Sequence, residues 1–375
     1  MTKADKEGQR KTPILRFKGF TDDWEQRKLG KQNKITMGQS PSSKNYTDNP
    51  NDWILIQGNA DLKNGKVTPR LYTSQVTKKA DIGDIILTVR APVGEVAITD
   101  YKAILGRGVA SIKGNLFIYF ALEKFKTNNK WNMYSSGSTF DSITGKDLNN
   151  LALFFPSKME ENKIGKLLNK LDSLLALYEN KRKLLTVLSQ GLSQYLFNFS
   201  KEKSAIQMSL SSVTLSEAKG IAKENTLSSG NIEYLDTTRL NGGKVKLVSG
   251  KKDVDFQDII VLWDGSNAGK IYYGFSGILG STLKVFKLKD DINSEYVYYY
   301  LKFKQNLILH KFRTPNIPHV SKDFSQRFNL PIPDKEKQNL IANILHLNEL
   351  QVNLTNKKIK KLKQIKNSLL QKIFL

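Results

Sequence analysis

The sequence predicts an α+β protein made of two similar halves, each a sheet-rich domain followed by a long helix. Three observations carry this. An ordered series of segments recurs at a displacement of about 176 positions. Two long stretches carry apolar residues at heptad spacing with no proline inside them. The segments between are short alternating strands with Gly, Asn, Asp and Ser at their joints.

The repeat is kept in order, gaps included. GDIILTVRAPVGEVAI (Gly83 to Ile98) is matched by QDIIVLWDGSNAGKIYY (Gln257 to Tyr273), and AILGRGVASIK (Ala103 to Lys113) by GILGSTLKVFK (Gly277 to Lys287). LFIYFALEKFK is matched by EYVYYYLKFKQ, and GSTFDSITGKDL (Gly137 to Leu148) by RTPNIPHVSKDF (Arg313 to Phe324). Pro-x-Lys then opens a helix in both halves, at Pro156 and Pro333. Proline is tolerated there because a helix start has no use for its missing N–H.

In the first helix one series is Ile164, Leu171, Tyr178, Leu185 and Leu192; a second is Leu167, Leu174, Lys181, Leu188 and Tyr195. At 1.5 Å per residue, 35 to 40 residues make a rod of roughly 50–60 Å. The second helix carries Ile341, Leu345, Leu354, Ile359, Leu362, Leu369 and Ile373, with Asn348 and Thr355 interrupting one stripe. A narrow apolar stripe needs a partner, so the two helices are expected to pair as an antiparallel coiled coil. A monomer would thereby mimic a twofold dimer. The expected boundaries are 1–157 for the first domain, 158–199 for its helix, 200–333 for the second domain and 334–375 for the last helix. Within the domains Val67–Thr73, Ile85–Val89, Val109–Lys113, Val245–Val248 and Thr282–Leu288 read as strands of a curved, mixed or largely antiparallel sheet. Leu116–Asn128 and Ser294–Leu309 read as helices.

The formal charge of +24 points to a polyanion, because Lys and Arg gain by displacing counterions from phosphates. From Val352 onward there are seven Lys and no acid. No apolar run approaches the ~18 residues of a membrane span, and the charged opening is unlike a secretory signal. The absence of Cys excludes disulfides, thiolate metal sites and a Cys nucleophile, and fits the cytoplasm.

Polar, glycine-containing loops stand at matching places in the two halves and form the candidate DNA-binding set. Ser40, Ser42, Lys44 and Asn45 lie in GQSPSSKNY. Gln57 and Asn59 have the paired amide groups that adenine recognition needs. Arg90 follows the central strand and Arg107 sits in GRG, where glycines let the backbone approach a ligand. Ser138 and Thr139 precede a helix. In the second half the candidates are Arg239, suited to guanine, with Lys244, Ser266, Asn267, Lys270, Arg313, Asn316 and His319, and Asp264 follows the central strand there as Arg90 does in the first half. Gly-Asn and Asn-Gly are also simple turn formers.

Enzymatic signatures are missing. GSNAGK (Gly265 to Lys270) falls short of a phosphate loop, since Ile271 replaces the metal-binding hydroxyl. In GFSGILG (Gly274 to Gly280) the G-x-S-x-G pattern fails at Ile278. His310, His319 and His346 are not at metal-ligand spacing. The expectation is a non-catalytic DNA reader that binds no cofactor and no metal.

PILRFKGFTDDWEQRKLG (Pro13 to Gly30), GQSPS, GDIILTVRAPVG, ILGRGVASI, GSTFDSIT and the LPIP-D-KEKQNLI run (Leu330 to Ile341) resemble the recurrent segments of type I restriction-modification specificity subunits. The twofold domain–helix repeat is the specific part of the resemblance, which covers nearly the whole chain. The second domain departs further, with VLWDGSNAGK in place of a Val-Arg-Gly-like turn. The resemblance implies two target recognition domains that read a bipartite double-stranded DNA site, mainly through the major groove. It implies helices that fix the gap between half-sites. It also implies two methyltransferase subunits using S-adenosylmethionine to modify adenines, and two motor-nuclease subunits using ATP and Mg²⁺ to cleave. The alternative expectation is a stand-alone sequence-specific DNA-binding protein with a coiled-coil spacer.

Overall fold

The computed structural model describes residues 11–133, 142–199, 205–314 and 318–375. The chain divides into two compact units, the first formed by residues up to 179 together with 358–375, the second by 180–357. Both long helices, Lys158–Phe199 and Lys335–Ile373, therefore contribute a segment to each unit.

In the first unit a six-stranded sheet runs in the order Ile35–Met37, Val109–Ile112, Ile85–Thr88, Val96–Ile98, Lys66–Val67, Leu62–Lys63. A five-stranded sheet runs Tyr46–Thr47, Leu71–Thr73, Trp53–Ile56, Ala103–Leu105, Lys79–Ala80. Glu25–Lys28 pairs antiparallel with Ala152–Phe155. The second unit is the same plan with fewer strands. Its four-stranded sheet is Thr214–Lys219, Leu283–Leu288, Ile259–Leu262, Ile271–Tyr272; its three-stranded sheet is Leu247–Val248, Ser229–Leu235, Ile278–Leu279; and Ile206–Ser209 pairs with Asn329–Ile332.

The sheets are mixed. Most neighbours are antiparallel, but Ala103–Leu105 lies parallel to Trp53–Ile56, and Ile278–Leu279 parallel to Ser229–Leu235. The expected single strand Val67–Thr73 is two short strands in different sheets, Lys66–Val67 and Leu71–Thr73. Asn64 and Gly65, both at positive φ, form the two-residue turn that feeds the first of them.

The central strands explain why their sequences are apolar without alternation. Ile85 and Leu87 pack with Phe117 and Phe120 of the helix Leu116–Thr127, whereas Ile86 packs with Ile56, Leu105 and Val109 between the sheets. Ile259 and Val261 likewise face Tyr296 and Tyr300 of the helix Ser294–Phe303, while Ile260 and Leu262 face Leu235 and Leu279. Both faces are covered, so both sets of side chains must be apolar. Asn115 and Asn293 start these helices by accepting the N–H of Ile118 and Tyr296 at 3.1 and 2.9 Å. The stretch expected as one helix to Leu309 breaks at Lys304 and resumes as Gln305–Lys311.

In the first unit the two long helices run antiparallel. Lys363 Nζ meets Glu179 and Lys366 Nζ meets Asp172, each at 2.7 Å, and Ile373 lies beside Ile164. The first heptad series is the inward one: Ile164 is buried and Leu171, Tyr178, Leu185 and Leu192 are half-buried. In the second series Leu167 packs against the core, whereas Leu188 and Tyr195 are 50% and 67% exposed. Leu168 and Leu175, outside both series, are buried. An inward stripe on a 3.6-residue helix drifts across a strict seven-residue repeat, which is how these positions enter it. Among the described residues no helix is long and apolar enough to cross a membrane.

Candidate nucleic-acid interface

Each unit gathers its polar loops at the ends of its central strands, and the same backbone bonds build the gathering in both. In the first unit Val89 N–H donates to Gly108 O at 2.8 Å and Val89 O accepts from Ile143 N–H at 2.9 Å. Arg90 bridges to Ser142. In the second unit Trp263 N–H donates to Thr282 O at 2.8 Å, Trp263 O accepts from Val320 N–H at 2.9 Å, and Asp264 bridges to His319. Gly38 and Gly220 occupy corresponding places too. Each N–H reaches across to a strand carbonyl, Val109 O or Leu283 O at 2.9 Å. A Cβ on either would overlap the carbonyl oxygen of Gly106 or Gly280.

This rim brings together four of the sequence-predicted residues of the first unit. Arg90 and Arg107 lie one residue outward from the Val89–Gly108 bond on either side, and both are exposed. Ser40 Oγ accepts the Arg107 N–H at 3.0 Å. Gly108 packs so closely on Gln57 O that no side chain fits there. Like charges placed side by side repel unless an anion lies between them. Gln57 Nε2 donates to Tyr46 Oη at 2.8 Å, which fixes its amide. Asn59 follows on an exposed turn. Ser42, Lys44 and Asn45 belong to the neighbouring loop, where Gln75 Oε1 accepts from Ser42 N and Asn45 Nδ2, both at 2.8 Å. Lys44 is exposed there. Ser138 and Thr139 lie outside the described residues.

In the second unit Ser266, Asn267, Lys270, Arg313 and His319 come together. Arg313 Nη1 donates to Ser266 O at 2.8 Å, Gly265 N–H to Pro318 O at 2.8 Å, and Lys270 N–H to Asn267 O at 3.1 Å. His319 Nδ1 lies 3.0 Å from Thr314 Oγ1. Lys270 Nζ donates to Asn241 Oδ1 and lies over the Tyr272 ring, tying this loop to the turn after Thr237–Leu240. Lys244 is exposed just beyond that turn. Arg239 is ion-paired with Glu233 at 2.6 Å and lies over the Phe275 ring. Asn316 lies outside the described residues.

Two supports were missed in the sequence. Asp61, 1% exposed, accepts the N–H groups of Gln57 and Gly58 and the Arg70 Nε at 2.9 Å, so it shapes the turn that presents Gln57 and Asn59. Gln75 does the same for the loop of Ser42 and Asn45. An acidic residue in a basic chain was the available signal for the first; nothing marked Gln75. Among the described residues no group of His, Cys, Asp and Glu is arranged to hold a metal ion.

The family profile described as the type I restriction modification DNA specificity domain matches twice, over residues 21–187 and 208–364. The chain belongs to this specificity family. Each match spans one unit's sheets and reaches into the long helix that follows. The specificity chain is 38% identical over 170 residues to a protein of Methanocaldococcus jannaschii named as the MjaX type I restriction enzyme specificity subunit, 43% of this chain and 39% of that one. It is 35% identical over 150 residues to the type I restriction enzyme MjaVIII specificity subunit of the same organism, 39% of this chain and 35% of that one. The matched stretch is thus well under half of each relative. The crystal structure of the type I restriction-modification S subunit from M. genitalium superposes with a TM-score of 0.73 at 18% identity, over 97% of this chain and 99% of that one. The specificity family and this S-subunit fold therefore extend through both units of the chain.

Proposed function

We propose that this chain is the DNA-reading subunit of a type I restriction-modification assembly. Each unit reads one half of a bipartite double-stranded target with the side chains of its rim, chiefly in the major groove, where the four base pairs are distinguishable. The long helices set the number of unread base pairs between the half-sites. The chain carries no catalytic centre. Two methyltransferase subunits bring S-adenosylmethionine and methylate adenines; two motor-nuclease subunits bring ATP and Mg²⁺ and cleave; all act in the cytoplasm. The outward stripe Leu184, Leu188 and Tyr195 of the first long helix, 70, 50 and 67% exposed, is the docking face for a methyltransferase subunit.

One observation supports this most. The two rims are built by equivalent backbone bonds yet end in different side chains, Arg90 and Arg107 in one and Asp264, Ser266 and Asn267 in the other. A constant scaffold with variable tips is what reading two different half-sites needs. The test is methylome sequencing in a methylation-free host that expresses the chain with its partner methyltransferase. A bipartite adenine-methylated motif that requires this chain is expected. Soluble, co-purifying proteins that leave no such motif would overturn the proposal in favour of a stand-alone DNA-binding protein.

A further inference from the structure

Arg90 and Asp264 hold the same place in the two units. Each follows a buried residue, Val89 or Trp263, whose N–H and C=O are bound in the same way. Each bridges to the residue before Ile143 or Val320. The charge at that place is reversed between units. The surroundings of Asp264 are fitted to the carboxylate: Lys219 Nζ lies 2.7 Å from Oδ2. The Asp264 side chain is 36% exposed. The loop that follows is held by Ala268 N–H to Gly265 O at 2.9 Å and Gly269 N–H to Leu262 O at 2.7 Å.

We infer that Asp264 is a specificity-determining residue of the second half-site, accepting a hydrogen bond from the exocyclic amino group of a cytosine or adenine. This rests on the DNA-reading role proposed above. A carboxylate on a DNA-facing rim works against phosphate binding, which makes it a poor anchor. Its useful partner in the major groove is a base amino group, cytosine N4 or adenine N6. Guanine offers only acceptors there, N7 and O6, and a carboxylate facing them is repelled. Arg90 has the opposite preference, for guanine's acceptor edge. The pair of positions thus gives the two half-sites opposite hydrogen-bond polarity at one base each. Lys219 orients the carboxylate and is a positioning residue.

The full chain is expressed with its partner methyltransferase in a methylation-free host, and the methylated motif is read for the wild type, Asp264→Asn, Asp264→Ala and Lys219→Gln. Both Asp264 variants are expected to relax or change one base position of one half-site, by roughly 5- to 150-fold in relative occupancy, with the other half-site unchanged. Asp264→Asn keeps the shape, so it retains a folded reference if Asp264→Ala is insoluble. Lys219→Gln is expected to keep the motif and lower its occupancy. Unchanged bases at every position in Asp264→Asn, or an even loss of methylation across the motif, would overturn the assignment while leaving the DNA-reading role standing. A wild-type chain that yields no bipartite motif would overturn both.

Discussion

Lys366 Nζ lies 2.7 Å from Glu123 Oε1 and 2.7 Å from Asp172 Oδ1. One lysine of the second long helix thus joins the domain helix and the first long helix of the first unit. The second unit inverts the arrangement: Lys302 of its domain helix bonds Glu349, the repeat counterpart of Asp172, at 2.8 Å, and Tyr299 Oη donates to the same carboxylate at 2.9 Å. The counterpart of Lys366 is Ser189. Homologous places therefore carry complementary and not interchangeable charge, which favours pairing each helix segment with its proper neighbour.

Lys366→Ala removes the cation that Glu123 and Asp172 share. Lys366 is 12% and Glu123 26% exposed in their side chains, so the loss is expected to be about 2–3 kcal/mol, below that of a fully buried pair. Burial already lifts the Glu123 carboxyl above the usual glutamate range, and removal of the lysine lifts it further. The deficit of the variant is therefore smallest in acid, where the carboxyl is protonated in both proteins, and grows as the pH rises through its titration. Urea unfolding of both proteins across pH 4–8 measures this; a deficit independent of pH would contradict the assignment.

Lys124, 8% exposed, donates to Phe374 O at 2.7 Å beyond the end of the second long helix. Burial, with Lys130 nearby, pushes its ammonium down to about 8. The unfolded chain, with an ordinary lysine, then binds more protons between about pH 8 and 10.5. This group's contribution to stability consequently rises with pH across that window. The difference in unfolding free energy between wild type and Lys124→Met should move in favour of wild type from pH 8 to 10. A flat difference would show that the amine titrates normally.

Gly38→Ala and Gly220→Ala place a methyl group against the Gly106 or Gly280 carbonyl. Backbone on both sides must shift, and the rim of one unit is deformed. Each variant is expected to lose methylation through failure of its own half-site, by at least about tenfold in affinity, corresponding to about 1.4 kcal/mol. Binding to DNA carrying one half-site at a time, measured with the assembled methyltransferase, distinguishes the two. Equal damage to both half-sites would mean that the units do not read separately.

Much of the fold was legible because it was written twice. Ile85–Thr88 and Ile259–Leu262 stood out as apolar runs between turn residues, and the helices expected to open at Leu116 and Ser294 do open there. The split of Val67–Thr73 between two sheets was not legible, since strand partners are chosen by contacts far along the chain. The break at Lys304 was hidden because the apolar spacing continues through it to Ile308, which is buried in the same core. For the site, the loops were found by their residue types, but their internal bonds were not. The ion pair of Arg239 with Glu233, six residues earlier on a strand, was among the bonds not legible. The repeat already sets Asp264 opposite Arg90 after the central strands, and the shared backbone bonds hold the two at the same place.

The stripe of Leu184, Leu188 and Tyr195 recurs at spacings of four and seven, which places these side chains on one helix face. Because they are exposed, replacing Leu184 and Leu188 by Ser is expected to leave the unfolding free energy within about 0.5 kcal/mol of wild type. If a methyltransferase subunit covers them, the same variant forfeits about 3 kcal/mol of buried apolar contact, or roughly 100-fold in affinity. Co-purification and titration of the partner methyltransferase against the double variant measure the loss. A variant that is stable and still binds its partner with wild-type affinity would remove this face from the interface. A variant that unfolds would instead show that the stripe is buried within the folded chain and is no free docking face.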